Sequence, residues 1–375
     1  MRIAFDGRPL LGARTGVGVW LEGLLDALVR DGSHEILLAL PRRRRELGLD
    51  PTLGAMKVVA PAVPMLGTVW LQTVAGPQVS PLVDVYVATL GILPRRLAVP
   101  SVVVLHDLTP RTRPHQHTIA NRFCFNAYLE DSLLGASVVV CDSQATRARL
   151  ARAYQAVAAE AVVIPPGVSR FFSPGSPGGG EATRDRFAAG RPYVVQLGTL
   201  EPRKGVATVI AAHGQLVAAD RAAPSLVLAG GRGWGGDLLE RALARHPAPE
   251  RVHLPGYVTR EDARDLLRYA EVVVVAAEEE GYGLPLAEAL VCGAACISSD
   301  EPALIEVGAG AVRTFRRRDA SALAAALAEM LAGDRAPWHE RARARSAALG
   351  WEDPLASWQR LLEGLRIPHD AASRH

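Results

Sequence analysis

Two doubly wound α/β domains of Rossmann-like topology, facing a central cleft, are predicted for this chain on three observations. Short apolar runs alternate with helical patterns along most of its length. Its 375 residues fill two ordinary domains at about 150 residues each. A stretch dense in Pro, Gly and Ser, "PPGVSRFFSPGSPGGGEATRD" at 165–185, interrupts the alternation midway. Strand–helix alternation of this kind builds parallel sheets covered by helices on both faces.

The first half offers strands near 2–6, 35–40, 56–60, 84–88, 101–105, 137–141 and 160–164, with helices at 17–31, 116–134 and 143–154. The second repeats the theme, with strands near 193–197, 225–229, 251–254, 272–276 and 294–298. Helices near 204–218, 236–245, 260–269 and 284–292 separate them. After about 315 the pattern turns helical, and "WEDPLASWQRLLEGL" at 351–365 is an amphipathic helix suited to packing back on the first domain. The expected division is 1–170, 171–350 and a returning helix and tail, 351–375.

Composition narrows the class. With 49% hydrophobic and 22% charged residues the chain reads as a soluble globular protein. A formal net charge of +3 is too mild for a nucleic-acid binder. No run approaches the roughly 18 apolar residues of a membrane span, and "MRIAFDG" lacks a signal-peptide layout, so a cytoplasmic setting is expected. The spacing of Cys124, Cys141, Cys292 and Cys296 matches neither a zinc ribbon nor a disulfide framework, and they are read as small buried residues in a reducing compartment. "PRRRRELG", 41–48, is read as a solvated loop that could meet anionic lipid. The apolar 61–100 region is open between core, acceptor groove and shallow membrane contact.

Open α/β sheets bind ligands at the carboxyl ends of their strands, which singles out five loops. "FDGRPLLGARTGVGVW" places Gly16 and Gly18 before a helix. "LHDL" ends a strand at His106. "LGTLEPRKG" leaves a strand at Gly198 and enters a helix through Arg203 and Lys204. "LAGGRGWGG" exits at Gly230. "EEEGYGLPLAEAL", 278–290, sets Gly281 and Gly283 before a helix with Pro285 at its start.

Lys57 and Lys204 are the chain's only lysines. Arg203 and Lys204 oppose the dipole at a helix N-terminus, and an anionic ligand would relieve them. A second anion seat at 281–287 makes a diphosphate between the two plausible. Glu280 and Glu288 suit sugar hydroxyls, whereas Glu278 and Glu279 are read as solvated charge. His106, at a strand end, is a candidate catalytic group.

"EGYGLPLAEALVCGAACISSD" resembles the E-x7-E signature of retaining nucleotide-sugar glycosyltransferases of family 4, which have the GT-B fold. "VVLHDL", "VVVCDSQATRARL", "VIPPGV", "GTLEPRKG", "LVLAGGRGW" and "RVHLPGYVTREDARDLLRYAEVVV" resemble further landmarks in order, from about residue 1 to 365. The resemblance implies that Arg203 and Lys204 bind the donor diphosphate, with backbone N–H groups around Tyr282, Gly283 and Leu284. It places Glu280 on donor-sugar hydroxyls, Glu288 on the ribose, Tyr257 and Val258 beside the base, Gly16 and Gly18 by the phosphates and acceptor, and His106 near the reacting face of the sugar.

The sequence departs from the pattern at "AAEEEGYG", at "CGAACISS" and at Gly205, where the family often has Asn. The implied reaction transfers a hexose with retention, without a metal or other cofactor. The donor is a nucleoside-diphosphate sugar. "DGRPLLGARTGVG", "HDL" and "GTLEPRK" look closest to the mannosyltransferase-like branch, favouring GDP-mannose over UDP-sugars. Carbohydrate, lipid-linked and natural-product acceptors are all compatible, as is peripheral membrane contact. A pyridoxal-dependent phosphorylase, a non-transferring epimerase and an inactive sugar-nucleotide binding module are the rival readings.

Overall fold

The computed structural model describes residues 1–12, 15–42, 56–112, 119–176 and 178–365. Most of the basic run at 41–48 and the tail beyond 365 therefore lie outside the described residues. The chain divides into two compact units, Val168–Gly350 and a first unit formed by Met1–Gly167 together with the residues from Trp351 on.

In the first unit seven strands form one parallel sheet. They are β1 (Arg2–Asp6), β2 (Glu35–Ala39), β3 (Lys57–Val59), β4 (Val85–Ala88), β5 (Ser101–Leu105), β6 (Val138–Cys141) and β7 (Val162–Val163), in the order β3-β2-β1-β4-β5-β6-β7. All five residues of β5 are buried, as expected of a central strand covered on both faces. The helix Gly16–Asp31 buries Trp20, Leu21, Leu24, Leu25 and Leu28, a stripe at helical spacing. The region around 61–100 adds Trp70, Leu71, Ala75 and Val79 to a core shared with Tyr86, Val103 and Cys141, while Val63, Leu66 and Val69 stay exposed. The helix Glu352–Gly364 returns to this unit, with the Trp358 ring 6.4 Å from that of Trp20.

The second unit holds six parallel strands: β8 (Tyr193–Leu197), β9 (Ser225–Ala229), β10 (Val252–Gly256), β11 (Val272–Val275), β12 (Cys296–Ser299) and β13 (Arg313–Phe315). Their order is β10-β9-β8-β11-β12-β13. Side chains alternate along each strand, so Val194, Val272 and Val274 pack with Val209 and Ile210 of the helix Val206–Ala219 on one face. On the other, Val195, Val273 and Val275 pack with Leu286, Ala287 and Leu290 of the helix Leu284–Val291.

Among the elements that escape the sequence pattern, two are instructive. β13 has three residues, too few to show a period, and two of them are Arg313 and Thr314. The Pro/Gly-rich stretch at 165–185 is also less of a linker than its composition suggests: the helix Glu181–Ala188 begins inside it and buries Phe187. Cys141, Cys292 and Cys296 are buried free thiols.

One buried polar pair braces the second unit. The amide of Ala248 donates to His246 Nδ1 at 3.1 Å, so His246 carries its proton on Nε2 and donates it to His213 Nδ1 at 2.9 Å. His213 Nε2 then donates to the Pro224 carbonyl at 2.9 Å. This chain needs both rings neutral, and burial pulls the His213 pKa down to about 4. A histidine depressed in the fold gives stability that is complete above its unfolded value near 6.5 and lost as pH falls toward 4. Thermal melts of His213→Leu between pH 7.5 and 4 should show a shallower acid loss than the unmodified protein; parallel slopes would contradict this.

Candidate functional site

In the second unit the strand order reverses between β8 and β11, so their following helices leave on opposite faces. A crevice opens at such a switch point. The β8 exit passes through Gly198, Leu200 and the 3-10 turn Pro202–Lys204 before the helix Val206–Ala219. The β11 exit passes through Ala276 and Ala277 to Glu278–Gly283 and the helix Leu284–Val291.

The two loops meet closely. Gly205 has φ +67°, and a Cβ there would lie 2.1 Å from the Ala276 carbonyl oxygen. Glycine is therefore required where the family often has Asn. At Gly230, φ +154°, a Cβ would fall 2.0 Å from the Gly198 oxygen, so the β8 and β9 exits also touch main chain to main chain.

This approach assembles a charge cluster. Lys204 Nζ donates to Glu280 Oε1, while Arg203 Nη1 lies 3.7 Å from Glu280 Oε2. Arg203 Nε reaches Glu201 Oε1 at 2.5 Å. Burial draws the Lys204 pKa down, Glu280 opposes this, and Arg203 adds to the depression. The Glu278 amide donates to the Arg203 carbonyl at 2.7 Å, tying the loops together directly.

The surrounding acids are not solvated, contrary to the sequence reading. Glu279 is buried, and Glu278 pairs with Arg318 at 2.5 Å. Arg203 and Lys204 lie in the 3-10 turn just ahead of Gly205, the cap of the helix Val206–Ala219, and Glu201 and Glu280 supply counter-charge there. Glu201 was missed in the sequence because an isolated acid carries no signal until its partner is placed.

Gly281 and Tyr282 are buried beside this cluster, Gly283 has φ +110°, and Leu284 opens the helix. Glu288 lies in the second turn of that helix, partly buried, and burial pushes its pKa up to about 8 despite Arg260. Tyr257, just past β10, is 65% exposed, and Val258 packs on the core. Among the described residues no group of three or more His, Cys, Asp and Glu could hold a metal ion.

In the first unit the strand order reverses between β1 and β4. At the β1 exit Asp6 is fully buried and grips Arg8 through Nε at 2.9 Å and Nη2 at 2.6 Å. Thr89, after β4, donates its hydroxyl to the Asp6 carbonyl at 2.7 Å. His106, after β5, holds the Thr89 carbonyl through Nε2 at 2.9 Å and Asp142 through Nδ1 at 2.6 Å. Trp20 packs edge-on against the His106 ring at 4.6 Å. Gly16 and Gly18 open the helix bearing Trp20; Gly16 is exposed, with no atom within 4 Å of where a Cβ would stand.

A family model described as Glycosyltransferase Family 4 matches residues 14–170, and one described as Glycosyl transferases group 1 matches 182–348. The chain is a family 4-like glycosyltransferase. The O-antigen chain mannosyltransferase B of Escherichia coli is 29% identical over 266 residues, covering 70% of this chain and 69% of that protein. The serotype-specific mannosyltransferase WbdA of the same species is 30% identical over 54% of this chain, which spans only 24% of WbdA. Among solved structures, a sucrose-phosphate synthase from Thermosynechococcus elongatus superposes with a TM-score of 0.75 at 20% identity, covering 97% of this chain and 99% of that one. That likeness fixes the two-domain α/β GT-B fold of the transferase. No described helix is long and apolar enough to cross a membrane.

Within the transferase's second unit the predicted residues Arg203, Lys204 and Glu280 touch one another, and Gly198 and Gly230 touch through their main chains. His106, Gly16 and Gly18 belong to the first unit. Glu288 gives a pH test. A carboxyl raised to about 8 stabilises the fold below its ordinary value near 4.5, and that contribution is lost as pH rises through 8. Glu288→Gln should therefore melt higher than the unmodified transferase at pH 9 and nearly equal to it at pH 4.5. A pH-independent difference would show that the carboxyl is not held protonated.

Proposed function

We propose that this transferase moves a hexose from a nucleoside-diphosphate sugar to an acceptor hydroxyl, with retention at the anomeric carbon and without a metal ion. GDP-mannose is the favoured donor and a UDP-sugar the alternative. The observation that carries the reading is the Arg203–Lys204–Glu280 cluster at the β8/β11 switch point, beside the start of the helix Leu284–Val291. The names of the E. coli relatives favour mannose as the sugar and a growing glycan as the acceptor.

In this reading the bond from the anomeric carbon to the diphosphate breaks while the acceptor oxygen bonds to the same face. The acceptor proton passes to a diphosphate oxygen, and the nucleoside diphosphate leaves. Arg203 and Lys204 stabilise the charge growing on that leaving group, with N–H groups around Tyr282–Leu284. Glu280 exchanges Lys204 for hydroxyls of the donor sugar. Glu288 accepts from the ribose, and Tyr257 and Val258 flank the base. His106, with Gly16 and Gly18, serves the sugar and acceptor side.

The experiment is a panel of sugar nucleotides scored for thermal stabilisation, hydrolysis and transfer. GDP-mannose should stabilise the protein and be turned over, and the product should keep the donor's anomeric configuration by NMR. Stabilisation by UDP-sugars alone moves the assignment to the alternative donor; no stabilisation by any sugar nucleotide contradicts it. Turnover should survive EDTA, because in this reading Arg203 and Lys204 take the part of a divalent ion. A complete loss restored by Mn²⁺ or Mg²⁺ would overturn that part. Lys204→Ala should slow turnover roughly a hundredfold or more, the scale of losing one positioned group at a developing anion.

A further inference from the structure

His106 is expected from the sequence to be a catalytic group near the reacting face of the sugar, yet both its ring nitrogens are engaged within the first unit. The cause lies in the sheet register. Leu105 of β5 pairs with Cys141 of β6, so the next residues, His106 and Asp142, stand side by side as the two strands end. Asp142 Oδ2 sits 2.6 Å from His106 Nδ1. On the other side of the ring, Nε2 lies 2.9 Å from the carbonyl oxygen of Thr89, beyond the adjacent strand β4. A carbonyl oxygen has no proton to give, so Nε2 must donate.

Asp142 then sets the state of Nδ1. The carboxylate is buried, and among the described residues its other oxygen, Oδ1, has no hydrogen-bond partner. Burial works against charge on the ring, but Asp142, the Thr89 carbonyl and Asp107 outweigh it and raise the His106 pKa. With Nε2 against a carbonyl oxygen and Nδ1 2.6 Å from a carboxylate, both ring nitrogens face acceptors. Around it, Asp107 accepts from the amide and hydroxyl of Thr109, and Cys141 is a buried thiol pushed up to about 12. Trp20 covers the ring edge-on, and the Thr146 hydroxyl contacts the His106 carbonyl at 3.3 Å.

The links continue in strand order. Asp142 holds His106, His106 holds the Thr89 carbonyl, and the Thr89 hydroxyl holds the Asp6 carbonyl at the β1 exit. One strap of hydrogen bonds therefore crosses β6, β5, β4 and β1 at their carboxyl ends. Turning the His106 ring would break two of its bonds and leave Asp142 as an uncompensated buried anion.

We propose that Asp142 is a positioning residue of the transferase: it locks His106 in one orientation and one charge state, and so fixes the main chain at the end of β5. The inference rests on the proposed function only for its kinetic part. His106 in this role neither takes nor gives a proton during transfer. It presents a fixed backbone to the sugar, and Asp142 keeps that backbone in place.

Two measurements test this. In the unmodified protein, long-range ¹H–¹⁵N spectra should show both His106 nitrogens protonated at pH 7.5, with no titration near the ordinary value of about 6.5. This readout needs no substrate, so it separates failure of the clamp from failure of the transferase reading. A His106 that titrates normally would overturn the proposal whatever the donor proves to be.

Kinetics then follow Asp142→Asn and Asp142→Ala. Asparagine can donate to Nδ1 of a neutral ring and keep its orientation, whereas alanine removes orientation and charge together. With alanine, kcat should fall roughly tenfold to a hundredfold, the cost of small misplacement near reacting atoms. Asparagine should fall between alanine and the unmodified enzyme, and KM for the donor should stay within about twofold in both. Unchanged kcat with a lowered melting temperature would show that Asp142 only stabilises the fold.

Discussion

The reversal of strand order between β8 and β11 is the constraint on which the second unit depends. It sends one helix to each face of the sheet and leaves the two strand exits side by side at the edge. Both exits must then approach within van der Waals contact, and that is why Gly205 stands where any side chain would collide with the Ala276 carbonyl oxygen. The same approach brings Lys204 against Glu280. Without that partner a largely buried ammonium would be left uncompensated, at a cost of roughly 3–5 kcal/mol for a buried pair broken on one side. Gly205 and the ion pair are two consequences of one topology.

The pairing also explains how two cations are held side by side: Glu280 and Glu201 supply counter-charge to Lys204 and Arg203. Under the proposed function, a diphosphate brings its own negative charge and competes with Glu280 for Lys204. The released carboxylate is then available to sugar hydroxyls beside the same cations. Donor binding is in this account an exchange of partners, with little new charge to desolvate.

Much of this was legible in the sequence because it depends on local pattern. Strand–helix alternation placed twelve of the thirteen described strands to within two residues at each end, since fully buried parallel strands such as "SVVVL" and "VVVV" are unbroken apolar runs. Glycines at strand exits marked the loops that meet. What stayed hidden depends on pairing across the sheet. Glu201, and Glu278 against Arg318, gain meaning only once a partner from elsewhere in the chain is placed. Asp142 is the clearest case. It lies inside the quoted "VVVCDSQATRARL", yet its bond to His106 follows from the β5–β6 register, and no single-strand pattern encodes a register. The three-residue β13 was missed for a related reason, being too short to carry a period.

The central claim is that Arg203 and Lys204 are a diphosphate seat held in reserve by Glu280. Calorimetric binding of GDP to the unmodified protein, Lys204→Ala and Glu280→Gln tests it most directly. Lys204→Ala should weaken GDP by roughly tenfold or more, as expected for loss of a charge-assisted contact. Glu280→Gln should bind GDP at least as tightly as the unmodified protein, because the internal competitor is gone while the cations remain. GDP affinity that is indifferent to Lys204, or that falls equally in both variants, would contradict the account.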